Sequence, residues 1–240
     1  MGLKTENLDI VYCVKNVPVN EELRYSLRSL KNIPHRKVWV IGGCPDCVNP
    51  ETVNCVKMTQ KGNSKWKKSN SSVKMACSLE EVSDNFILFN DDFFVMKPIE
   101  ELDYIYHKTL GLRVQEIMLR NNVWGNTGYS RRLLDESRTL KFMGKPTKNY
   151  AVHIPMIFNK EKMNYLFNKF PDRVISRAFY GNYYEVGGVD MEDVKIYDTN
   201  EKPDKNSVFL STTNTSFARG EVGKFIRRKF KKISEYEKGE

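Results

Sequence analysis

The chain has 240 residues, of which 40% are hydrophobic and 12% aromatic, and its formal net charge is +9. That composition suffices for a sizeable core and excludes a disordered polymer, and no apolar run approaches the roughly 20 residues of a membrane-spanning helix. The basic balance favours polyanionic partners: nucleotide phosphates, nucleic acid or an anionic membrane face.

Residues 1–7 lack the apolar stretch of a signal peptide, so a cytoplasmic protein is expected. Residues 8–14, rich in β-formers, read as a first strand. Asn20 followed by Glu21 and Glu22 opens a helix whose apolar face is Leu23, Leu27 and Leu30, and Pro34 ends it. Residues 37–41 form a second strand, stopped by Gly42-Gly43. Strand, helix, strand over this length is a βαβ unit, which predicts a mostly parallel central sheet.

Five cysteines, an odd number, fit reduced thiols in the cytoplasm. Cys44, Cys47 and Cys55 supply only part of a zinc ligand set, and free, partly buried thiols are the expectation. Residues 57–74 hold six lysines and no acid and read as a mobile loop, either solvated or folding over phosphates as a lid. Residues 75–82 look helical and lead into the strand that starts at Phe86. Pro98 and the acids after it predict another helix, with Leu102, Ile105 and Tyr106 on one side. A polar stretch at 121–128 precedes a basic, helix-like segment at 130–140. A helix over about 160–170, an aromatic cluster at 179–184 and a late strand at 207–211 follow. Residues 220–238 read as a basic amphipathic C-terminal helix that docks on its own domain, on nucleic acid or on a membrane surface. With no internal repeat and no linker, residues 1–240 are expected to be a single domain.

The chemistry concentrates at Phe86-Ile87-Leu88-Phe89-Asn90-Asp91-Asp92. A continuous apolar run closed by polar residues is a strand buried on both faces, and open α/β sheets bind ligands at the carboxyl ends of such strands. Two adjacent carboxylates stay charged at low cost only beside a cation or good donors. A divalent cation bridging a diphosphate meets that need, since hard oxygen ligands suit Mg²⁺ or Mn²⁺. The other reading makes Asp91 or Asp92 the cap of a following helix.

Four segments together resemble, in order, the Stealth family of hexose-1-phosphate transferases of capsule synthesis. These are residues 8–12; residues 22–30 with 37–41, a second block that continues to Asn70-Ser71-Ser72 and ends in Phe89-Asn90-Asp91-Asp92; His153-Ile154-Pro155; and residues 209–212. Residues 209–212 are loosely similar to its fourth block, and the ending resembles compact phage-type glycosyltransferases. The resemblance implies a GT-A-like nucleotide-sugar domain with a divalent metal at Asp91 and Asp92. It also implies Arg24, Arg28, Ser71, Ser72 and Asn90 on the donor, and His153, Arg177 and Asp92 in catalysis. The chain departs from the family pattern after Val14, where no acid follows, and at Ala76, where the family carries an acid.

His153 suits proton transfer on its own chemistry as well, because an imidazole titrates near neutral pH. Three functions are compatible with these residues. One moves a hexose-1-phosphate from a UDP- or GDP-sugar to an acceptor hydroxyl. Another moves the sugar alone to a glycan, a phage protein or a modified DNA base. A third is a basic nucleic-acid-binding module without catalysis, although no RNP, helix-turn-helix or zinc-finger signature accompanies the charge.

Overall fold

The computed structural model describes residues 2–120 and 128–239. The polar stretch read at 121–128 therefore lies, apart from Gly128, outside the described residues. The fold is mixed α/β. In chain order, β1 (Leu3–Lys4) and β2 (Asp9–Val14) precede α1 (Glu21–Ser29), which continues as a 3-10 turn over Leu30–Asn32. Next come β3 (Val38–Gly42), β4 (Val53–Lys57), α2 (Lys65–Ser78) and β5 (Asn85–Phe89). After these run β6 (Phe93–Val95), β7 (Glu101–Leu102), β8 (Ile105–Tyr106), α3 (Leu110–Arg120) and α4 (Gly128–Phe142). The chain continues through β9 (Met156–Asn159), α5 (Lys160–Lys169), α6 (Arg177–Tyr183), β10 (Val189–Asp190) and β11 (Lys195–Ile196). It closes with β12 (Phe209–Thr212), α7 (Asn214–Arg219) and α8 (Glu221–Lys229). No helix among the described residues is long and apolar enough to cross a membrane.

Three segments differ from their sequence reading. The lysine-rich stretch is helical from Lys65 onward, because the Ser64 side chain caps α2 at the Lys67 N–H and Ser72, Val73, Ala76 and Cys77 provide a narrow buried stripe. No helix follows Pro98: Leu3 pairs with Leu102, and the Thr5 N–H donates to the Glu100 carbonyl at 3.0 Å, so a partner strand captures this segment. The last helix stops at Lys229, not 238, and the chain beyond it is irregular, turning where the Glu237 N–H donates to the Ser234 carbonyl at 3.2 Å and tied down by the Asn49 N–H donating to the Tyr236 carbonyl at 2.9 Å.

The chain divides into two compact units. The larger comprises Gly2–Leu102, His153–Val174 and the chain from Val194 on. Its main sheet has the order β4-β3-β2-β5-β9; β4, β3, β2 and β5 run parallel, and β9 runs antiparallel to β5. β3 is buried along its whole length, as a strand covered on both faces must be. Tyr12 of β2 meets Ser26 of α1 at 2.8 Å, which ties that helix to the sheet. A second sheet, β11-β12-β6, packs with α7 and α8 around Phe94, Leu210, Phe217, Val222, Ile226 and Phe230. Gly223 lets α8 approach α7, since a Cβ there would collide with the Phe217 carbonyl.

The smaller unit comprises Asp103–Val152 and Ile175–Asp193. α3 packs on α4, and β8 pairs in parallel with β10. The Ser176 hydroxyl joins α6 to the buried Glu136 of α4 at 2.6 Å.

Candidate functional site

The carboxyl ends of β2, β3, β4 and β5 all face one way, because those strands are parallel. A cleft of about 920 Å³ opens beyond them. Lys15 and Asn16 beyond β2, Lys57 at the end of β4, Lys65 and Lys68 at the start of α2, and Asp91 beyond β5 line it. Gln60, also in the wall, is fixed by donating to the Val14 carbonyl at 3.2 Å and to the Ser72 hydroxyl at 2.9 Å. Four ammonium groups against one carboxylate create a positive field suited to a multiply charged anion. No acid sits in the first turn of α2 to offset the positive end of its dipole.

Asp91 and Asp92 have different partners. Asp91 Oδ2 accepts from Asn20 Nδ2 at 2.7 Å, while the Oδ1 of the same Asn20 caps α1 at the Leu23 N–H. Asp92 Oδ2 pairs with the Lys195 ammonium at 2.6 Å, and its Oδ1 is buried without a hydrogen-bond partner. Neither acid caps a helix, because strand β6 follows directly. Burial pushes the Asp91 carboxyl above its ordinary range; the Asn20 bond opposes this and the Asp92 charge adds to it.

A third carboxyl belongs to this neighbourhood. Glu22 of α1 is buried and accepts from the Thr212 hydroxyl at 2.6 Å. Its pKa is pushed up to about 7, first by burial and then by the charges of Asp92 and Asp91. The adjacent Asp pair was legible in the chain, whereas Glu22, Asn20 and Lys195 arrive from α1 and β11. Glu22 resembled an ordinary helix-start acid and Lys195 one lysine among many.

The residues fit a hard divalent cation in one respect that the structure itself provides: the orphaned Asp92 Oδ1 is a buried oxygen with its lone pairs uncommitted. Among the described residues, no three His, Cys, Asp or Glu side chains gather as a ready ligand set. A cation there would complete its shell with phosphate oxygens and water, which is how Mg²⁺ is ordinarily held.

No protein-family model matches this chain. No curated protein matches it either.

The other expected site residues are dispersed. Arg24 lies on α1 beside Glu21, with Nε–Oε1 at 3.1 Å. Arg28 is buried at the far end of that helix, where it pairs with Glu237 at 2.8 Å and donates to the Phe230 and Lys231 carbonyls. The structure thus engages its guanidinium with the segment after α8. Ser71 and Ser72 lie on α2. The Ser71 hydroxyl donates to the Lys68 carbonyl and accepts from the Lys61 N–H, while Ser72 is buried behind Gln60. Asn90 precedes the acid pair at the end of β5.

His153 stands three residues before Met156, which pairs with Leu88. Since β9 is antiparallel to β5, this brings His153 to the same end of the sheet as residues 90–92. Arg177 belongs to the smaller unit, opens α6 and donates to the Val152 carbonyl at 3.2 Å.

The expectation of free thiols is corrected at one pair. Cys44 and Cys55 form a disulfide, because β3 and β4 are neighbours and the chain beyond β3 folds back over Cys55. Cys13, Cys47 and Cys77 take no part in a disulfide. With Cys44 and Cys55 bonded to each other, the partial zinc set is not available as thiolates.

Proposed function

We propose that the chain is a nucleotide-sugar-dependent transferase, with the donor diphosphate in the lysine-lined cleft. One observation carries the reading: four lysines and Asp91 meet at the carboxyl ends of parallel strands, beside a second carboxylate with an uncommitted buried oxygen. Ligand sites in open α/β sheets occupy this position. The ordered resemblance to the Stealth family, with Asn90-Asp91-Asp92 at the strand end, supports the same reading and its GT-A-like form.

In this reading, Lys15, Lys57, Lys65 and Lys68 bind and orient the diphosphate, and residues 1–240 act as one transferase. Asp91 and Asp92 would hold Mg²⁺ or Mn²⁺, which when bound neutralises the diphosphate and steadies the leaving group. His153 takes the proton of the acceptor hydroxyl. The hydroxyl oxygen then attacks the phosphorus that bears the sugar, forming a phosphodiester and breaking the bond to the nucleoside monophosphate. Arg28 is left out of the donor set, since its bonds go to residues 230–237.

The test incubates the protein with UDP- and GDP-sugars, Mn²⁺ and a hydroxyl acceptor panel, and identifies the nucleotide released. Monophosphate supports sugar-phosphate transfer. Diphosphate would instead identify transfer of the sugar alone, and failure of any nucleotide sugar to bind would sink the transferase reading.

A further inference from the structure

We propose that the basic surface formed by α8, the residues after it and Lys31 docks on an anionic phospholipid bilayer. The inference does not depend on the transferase reading. An amphipathic helix usually meets lipid through its apolar side, but here that side is taken. Val222, Ile226 and Phe230 are buried against Phe94, Met96, Leu210 and Phe217, so turning them outward would open the core. What α8 offers to solvent is charge.

Lys224, Arg228 and Lys229 are exposed on the helix, and Lys231 and Lys232 are exposed beyond it. Arg228 Nε donates to the Lys224 carbonyl at 3.3 Å, which sets these two cations one turn apart on the same stripe. Lys31, from the turn after α1, reaches over the Phe230 ring at 5.4 Å and adds its ammonium to this surface. No acid occurs between Glu221 and Glu235. Glu221 pairs with Lys224 at 2.8 Å, and the cations from Arg227 to Lys232 follow it without an intervening acid.

Two features favour a bilayer over a nucleic acid. Ile233 follows the lysine pair directly and is 49% exposed, an apolar side chain placed to enter the headgroup region. Single-stranded nucleic acids are held by exposed aromatic platforms, whereas Phe230 is buried and the Tyr236 hydroxyl is bonded to His35 at 2.9 Å. Clustered lysines and arginines at a surface read an anionic leaflet additively, and the attraction decays within a Debye length.

The intact chain should co-sediment with vesicles of phosphatidylserine and phosphatidylcholine and not with phosphatidylcholine alone, and added salt should release it. The exposed-site variant Arg228→Gln/Lys229→Gln/Lys231→Gln/Lys232→Gln should lower partitioning about a hundredfold or more, with an unchanged thermal midpoint. Ile233→Asn should lower it several-fold and leave the salt dependence intact. The proposal is overturned if binding ignores phosphatidylserine, if the quadruple variant binds like the parent, or if duplex or single-stranded DNA displaces the protein from the vesicles at matched phosphate. Nucleotide-sugar binding, measured on the same quadruple variant, should be unaltered; its loss would count against the cleft assignment and not against the surface.

Discussion

The pair Arg28–Glu237 offers the sharpest test of how the larger unit is held together. Arg28 Nε lies 2.9 and 3.1 Å from the two carboxylate oxygens and Nη2 lies 2.8 Å from Oε2, a bidentate pair. The side chains are only 8% and 2% exposed. The Ser234 N–H and hydroxyl also donate to Glu237 Oε1, at 3.0 and 2.9 Å. Removing either partner strands a buried charge, which typically costs about 3–5 kcal/mol. Arg28→Ala and Glu237→Ala should each lose that much in urea unfolding at neutral pH. The swap Arg28→Met/Glu237→Leu removes both charges together and should recover at least about half of the loss, short of the full amount because two carbonyls lose their donor and the Ser234 N–H and hydroxyl lose their acceptor. The double variant should also bind a nucleotide sugar as the parent does. The reasoning fails if Arg28→Ala costs less than about 1 kcal/mol. It fails equally if the stable double variant loses donor affinity, which would return Arg28 to the donor site.

Glu22 makes stability pH-dependent. With its carboxyl raised from 4.5 to about 7, its contribution is complete below pH 4.5, declines as the pH rises and is gone a little above 7. In chelator, Glu22→Gln should therefore match the parent near pH 4.5 and exceed it by about 3 kcal/mol at pH 8; a difference that does not grow with pH would refute the assignment. Lys65→Gln/Lys68→Gln should weaken UDP-sugar binding about tenfold and flatten its salt dependence, as read by titration calorimetry. The Cys44–Cys55 disulfide closes a short loop, with a sequence separation of 11, so Cys44→Ser/Cys55→Ser should cost about 3 kcal/mol in a non-reducing melt. Equal melts with and without reductant for the parent would count against that.

Local sequence was sufficient wherever a segment's own pattern admits one solution. Residues 10–14, 38–41 and 86–89 are apolar without interruption, and a run too short for a buried helix becomes a strand covered on both faces. The apolar stripes of α1, α5 and α8, with Asn caps on the first two, likewise mark helices from their own composition. The placement of Asn90-Asp91-Asp92 at a strand end followed from the same logic, because polar residues must leave a buried strand where it ends. The Lys65 helix escaped detection because its buried stripe is narrow and four lysines crowd its other faces.

Tertiary structure decided everything that depends on which distant groups meet. Residues 101–102 and 105–106 became strands because β1 and β10 were there to pair with β7 and β8. Arg28, which the family resemblance assigns to the donor, meets a buried carboxylate in Glu237, distant in sequence. Cys44 found Cys55 through strand adjacency. Asp92 acquired Lys195, and Glu22 acquired both acids as neighbours, only because α1 and β11 converge on the end of β5. Hydrophobic period is a property of a segment, so it can be read from the chain. The energy of a charge depends on what surrounds it, and in this protein those surroundings come from segments as far as 209 residues away.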